Sequence, residues 1–228
     1  RFVLHPAHAP AVAPDTQYFL KQKPADTLRI ITLGDSSMAG FPYGRFGAPA
    51  AFLQQRVTGL YPDKNIEVIN LAMSSINSYA LRDIAHEVVT LAPDAVYIYA
   101  GHNEYLGVMG VGSSYAGLGG HRLNTLYLSV KQWRLTQLIV SLISTSPTDN
   151  KPNNARTVMA SVAQNRNIAF DSPAYHRGIE QYRDNVRKVL ATFNAEDIQV
   201  YLSTLAANDK NQAPFADSYA LNDTDSAK

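Results

Sequence analysis

Ser36 is the residue around which chemistry can be built. It closes Gly34-Asp35-Ser36, which follows an apolar, β-branched run over 28–33 and precedes a turn bearing Gly40. A buried strand that stops at a serine in a tight turn lifts the hydroxyl clear of the sheet edge, and backbone N–H groups beyond it can face a developing oxyanion. Two more polar clusters close similar runs: Asn70-Leu71-Ala72-Met73-Ser74-Ser75 at the end of 66–71, and Gly101-His102-Asn103-Glu104-Tyr105 after 95–100. Acyl transfer at a serine needs a nucleophile, a base to take its proton, and donors for the tetrahedral oxygen. Ser36 can be the nucleophile. The donors can be its own N–H, the N–H near Ala72 and the side-chain amide of Asn103, which donates without titrating.

The surrounding elements decide whether these clusters can meet. The run 28–33 reads as a first strand. Phe52, Leu53, Val57 and Leu60 fall at helical spacing within 47–61, and Pro62-Asp63 ends that helix. A second strand over 66–71 alternates little, which predicts burial on both faces. The segment 79–91 puts Leu81, Ile84, Ala85, Val88 and Leu91 on one helical face with Ser78 as N-cap, and 95–100 is a third strand. Strand–helix–strand–helix–strand with short links predicts an α/β fold with a parallel, doubly wound sheet, whose active sites gather at the carboxyl ends of the strands.

Further on, 105–120 is a glycine-rich loop, a lid or surface loop rather than a dinucleotide fingerprint. A helical stripe over 123–143 contains Leu126, Val130, Trp133, Leu138 and Leu142, with Trp133 expected in the core. The polar stretch 144–172 reads as a surface excursion. A helix over 174–193 turns Ile179, Tyr182, Val186, Val189, Leu190 and Phe193 inward, and 198–204 is a fourth strand. Residues 1–27, with four prolines, read as an extended arm; 28–205 form the domain; 206–228 read as a loop or disordered tail.

The three clusters, in this order and after successive strands, resemble blocks I, II and III of the SGNH (GDSL-type) hydrolases. The longer stretches 34–43, 68–79 and 99–112 resemble a bacterial branch of that superfamily marked by a Gly-His-Asn-Glu-Tyr block, and the likeness spans about residues 25–215. The resemblance implies a three-layer α/β/α sandwich around a parallel, flavodoxin-like sheet of about five strands. It implies Ser36 as nucleophile and Ser36, Ala72 and Asn103 as the oxyanion hole. Asp35, Tyr43, His102, Glu104 and Tyr105 are candidates for the substrate cleft. This chain departs from the pattern at Ala72, where block II has Gly, and at Glu104, where block III has Asp. The family's base lies in a late Asp-x-x-His block after a fifth strand, yet no histidine follows His176. That predicts a chain lacking its last strand, with the catalytic Asp and His beyond Lys228.

The other histidines offer little. His5 and His8 sit in the arm without acidic partners, His86 reads as a surface residue, and His176 as structural or exposed. His102 beside Asn103, and His121 after the glycine loop, are the residual candidates for a base. No set has metal-ligand spacing, and no cofactor is implied. A net charge of +1 without a Lys/Arg block argues against nucleic acid, and the lack of cysteine excludes thiol catalysis. No apolar run approaches the ~18–20 residues of a membrane span. The chain opens on Arg1 rather than Met, so a preceding signal or anchor is expected to be missing. The resemblance leans toward an extracytoplasmic, periplasmic or membrane-anchored site in a bacterium. The leading expectation is an esterase or carbohydrate O-deacetylase acting on a small-molecule or glycan ester. The alternatives are a non-catalytic binding or assembly module on the same fold, or an O-acyltransferase.

Overall fold

The computed structural model describes residues 13–107, 109–112, 120–131, 133, 168–207 and 210. Four parallel strands form one sheet in the order β2-β1-β3-β4: β1 is Thr27–Gly34, β2 Asn65–Asn70, β3 Ala95–Tyr99 and β4 Gln199–Leu202. The helices are α1 (Ser36–Ala39), α2 (Pro49–Leu60), α3 (Ser78–Val89), α4 (Gly120–Val130) and α5 (Pro173–Asn194). This is the doubly wound α/β fold that the alternation of elements predicts, in a flavodoxin-like order.

Period-two alternation in the strands sorts side chains onto two faces. Ile31, Leu33, Ile69, Val96 and Ile98 share one face, packed against Leu81, Ala85 and Val88 of α3 and Val189 and Phe193 of α5. Each such side chain contributes about 1.5–3 kcal/mol when fully buried. Thr32 and Tyr97 look the other way, toward a groove they share with Phe52, Leu53, Arg56 and Leu60 of α2. The strand expected to be buried on both faces, β2, is instead an edge strand with a half-buried pattern. Its short alternation reflects half-burial at the sheet margin rather than a central place.

The edge of β2 is closed by two glutamines. Gln54 of α2 accepts from Val68 N–H at 2.7 Å and donates to Ile66 C=O at 2.9 Å. Gln17 accepts from Asn70 N–H at 2.9 Å and also donates to the Asn70 carbonyl. Residues 13–26 form no helix or strand and cross the start of the sheet, where Arg29 holds them. The Arg29 side chain is fully buried; it donates to Leu20 C=O at 2.7 Å and Leu91 C=O at 2.6 Å, and pairs with Glu67 at 2.6 Å.

Two helices differ from expectation. The N-cap of α3 is Asn77 rather than Ser78, because the Asn77 side chain accepts from Tyr79 N–H while Ser78 already has helical geometry. On the described part of the 123–143 stripe, Leu126 is 56% exposed and Trp133 63% exposed, so the expected apolar core there is not formed. What α4 turns inward is Asn124, with His121 beside it. Leu138 and Leu142 lie outside the described residues, as do most of 144–172 and of the tail after 207. Among the described residues no helix is long and apolar enough to cross a membrane.

Candidate active site at the carboxyl edge of the sheet

At the carboxyl end of β1 the chain turns sharply into α1. Gly34 is required there: a Cβ on it would lie 2.2 Å from Tyr99 C=O and 2.6 Å from Met38 Cβ. Asp35 is fully buried and caps α1, its Oδ1 accepting from Ser37 N–H at 3.1 Å. Ser36 follows as the first helical residue, partly exposed.

Asn70 fixes this turn from the neighbouring strand. It donates to Met38 C=O at 3.2 Å, and its Oδ1 accepts from Thr32 Oγ at 3.0 Å and from Ala72 N–H at 3.1 Å. Through that last bond Asn70 engages the Ala72 N–H, and Ala72 is 2% exposed. The left-handed backbone that favours glycine falls three residues later, at Ser75, with φ 65°.

Beyond β3, His102 reaches back to the first turn. Its Nδ1 lies 3.1 Å from Asp35 Oδ2, and its Nε2 lies 3.3 Å from Ala206 C=O. Both ring nitrogens therefore face oxygen acceptors, and no bond joins His102 to Ser36. The imidazole thus ties the first and third loops together. Asn103 follows, 8% exposed, and its Nδ2 has no hydrogen-bond partner among the described residues. A buried amide N–H left unpaired is rare and costs about 1–3 kcal/mol, so it calls for an explanation.

Glu104 joins three elements. Its carboxylate accepts from Ser78 N–H at 3.0 Å, Ser78 Oγ at 2.8 Å and Gln181 Nε2 at 2.8 Å, which binds the third loop to α3 and α5. Burial raises its pKa above the ordinary carboxylate value, opposed by those hydrogen bonds. Glu104 and Tyr105 border a cavity of about 430 Å³ together with Gly178, Tyr182 and Leu205. The Tyr105 hydroxyl donates to Tyr175 C=O at 3.2 Å, and burial pushes its pKa up. Tyr43 stands 81% exposed.

Sequence reasoning missed a second cluster. His121 joins Tyr79 OH, 2.8 Å from its Nδ1, to Asp184 Oδ2, 2.9 Å from its Nε2, so α4 is tied to α3 and α5 at once. The hydrogen bond from His121 lowers the Asp184 pKa, while burial raises that of Tyr79. His86 is exposed, and His176 is paired with Asp171 at 2.7 Å. Among the described residues no group of three or more His, Cys, Asp or Glu could hold a metal ion.

No family model matches the chain, and no curated protein matches it. Several solved structures are similar. One is a lipolytic protein of the G-D-S-L family from Desulfitobacterium hafniense, at 13% identity, covering 77% of each chain with a TM-score of 0.34. Another is an acetyl xylan esterase from Geobacillus stearothermophilus, at 14% identity, covering 79% of this chain and 78% of that one with a TM-score of 0.36. A third is a lipase/acylhydrolase from Enterococcus faecalis, at 16% identity, covering 75% and 74% with a TM-score of 0.33. These likenesses are too distant to carry chemistry across, and the function rests on the residues of this chain.

Proposed function

We propose that the protein is a serine ester hydrolase with Ser36 as nucleophile. One observation carries the reading: the buried, unpartnered Asn103 Nδ2 stands in the loop that His102 ties to the Ser36 turn. Such a donor suits an oxygen that gains charge only during reaction, when it is worth most. Ser36 Oγ attacks the acyl carbon, forming the C–Oγ bond as the carbonyl electron pair moves onto oxygen. Asn103 Nδ2 and the Ser36 N–H hold that oxygen. The Ser36 proton passes to a general base, and collapse breaks the bond to the alcohol, which leaves with that proton. Water then repeats the sequence on the acyl-serine. Among the described residues no base contacts the Ser36 hydroxyl, so the base is assigned to a residue outside them, in keeping with a late Asp-x-x-His.

That same lack of a base favours the second reading, a module that binds an acylated ligand without turnover. Full-length protein is expected to hydrolyse a short-chain p-nitrophenyl ester and to label with a fluorophosphonate. Ser36→Ala should abolish both, and Asn103→Ala should lower kcat by about 10²–10³-fold. Equal turnover by wild type and Ser36→Ala would rule out this mechanism; binding of an acylated glycan with no turnover would favour the module. Product analysis with an added sugar acceptor separates hydrolysis from acyl transfer.

A further inference from the structure

The apolar stripe that includes Leu126, Val130 and Trp133 reads as core in the sequence, and the structure turns it outward. Leu123 is 53% exposed and Tyr127 41%, beside the exposed Leu126 and Trp133. Within α4, Leu123, Leu126, Tyr127 and Val130 stand at i, i+3, i+4 and i+7, so they share one face. The last turn carries on to Trp133, whose N–H donates to Val130 C=O at 2.9 Å.

The opposite face is polar and engaged. His121 meets Tyr79 OH and Asp184, Asn124 Nδ2 donates to Met109 C=O at 3.3 Å, and Lys131 pairs with Asp83. A surface helix of a water-soluble domain does the reverse, burying its apolar stripe and wetting its polar one. These polar bonds fix the roll of α4, and the helix cannot turn its leucines inward without breaking them.

Charge narrows what fits the outer face. The run 105–148 holds no aspartate or glutamate, although the whole chain has 19, and Arg122, Lys131 and Arg134 fall within it. Arg122 is exposed one turn before Leu126. Tyrosine and tryptophan, with an apolar ring and a polar tip, settle at the boundary between lipid and water. A face of leucines and aromatics with cations and no carboxylate complements an anionic lipid surface. A second copy docked through the same patch would instead set like charges against each other.

We propose that α4 is a membrane-surface helix. It lies in the plane of an anionic bilayer, with Leu123, Leu126, Tyr127 and Trp133 in the headgroup boundary and Arg122 against lipid phosphates. It holds the domain on the membrane without crossing it, and this role is independent of the chemistry at Ser36.

The test mixes the protein with vesicles of phosphatidylcholine and phosphatidylglycerol, or of phosphatidylcholine alone, and follows co-sedimentation and tryptophan emission. Trp133 is the single tryptophan of the sequence, so a shift to shorter wavelength reports its transfer into lipid. Expected is binding to the anionic vesicles that weakens as salt rises and falls about tenfold or more in Leu123→Ser/Leu126→Ser. Both leucines are exposed, so the double variant is expected to keep its melting transition; Trp133→Ser serves as the second variant if it does not. No binding of wild type to anionic vesicles, equal binding to phosphatidylcholine alone, or undiminished binding by a folded variant overturns the proposal. A lipid-free dimer in sedimentation velocity that the double variant dissociates also overturns it, and gives the face to a second copy.

Discussion

Among the described residues three donors surround the Glu104 carboxylate: Ser78 N–H, Ser78 Oγ and Gln181 Nε2. Glutamine in its place would turn an NH2 group toward at least one of them. Glu104→Gln is therefore expected to cost about 1–3 kcal/mol in urea unfolding. The pH dependence follows from the raised pKa, which burial causes. A carboxyl whose folded pKa exceeds its unfolded one gives stability that is present below the unfolded value and lost as pH rises through the folded value. The gap between wild type and Glu104→Gln should thus narrow as pH climbs above the ordinary carboxylate range, and a gap that widens would contradict it. At this scale the turn after β1 was legible, because a strand ending in a polar turn leaves a local mark. The bond from Ala72 N–H to the Asn70 side chain was not, since no spacing announces it. Nor does anything local reveal that α5 supplies Gln181 to Glu104 from 77 residues away.

Along α5 the inward stripe changes character. Val189 and Phe193 belong to the apolar core, whereas Gly178, Gln181 and Asn185 are buried near the site end. The apolar periodicity placed this helix well, but it hid the polar half, since Gln181 and Asn185 read as surface residues until their partners are known. Asn185 donates to Ser78 Oγ at 2.9 Å and accepts from Arg82 at 3.2 Å, which continues the Glu104 network into α3. Next to it, Asp184 anchors α4 through His121. The Asp184 pKa is lowered first by the His121 hydrogen bond, so this contribution is present above the unfolded value and lost as pH falls through the folded one. Following the acid limb of unfolding should therefore show a shallower loss in Asp184→Asn than in wild type. Identical acid limbs would show that the His121 contact contributes nothing to stability.

For the whole molecule, the alternation of strands and helices was enough to predict a parallel sheet. Which strand lies at the margin was not readable, because β2 carries Ile66, Val68 and Ile69 like a central strand. Arg29 was equally hidden: a charged residue inside an apolar strand gives no sign of the carbonyls waiting for it. Its buried guanidinium joins the arm, β2 and the end of the third helix's connection, with Phe19 beneath it at 5.8 Å from the ring centre. Arg29→Met strands the Glu67 carboxylate and three carbonyls at once. We expect a loss of about 3–5 kcal/mol in urea unfolding, with the arm becoming accessible to limited proteolysis. A variant as stable as wild type would show that the arm is held by other contacts.

The glutamines along β2 have a further consequence. An open strand margin is a template on which another chain can crystallise into a growing ribbon, and amide side chains occupying its N–H and C=O groups remove that template. Gln17 and Gln54 thereby give the sheet a polarity: on the β2 side it is terminated by its own residues, and any lateral assembly of copies has to begin elsewhere. Replacing both with leucine would leave the interior intact yet unmask a ribbon edge, changing how the molecule behaves in a crowd rather than how it folds alone.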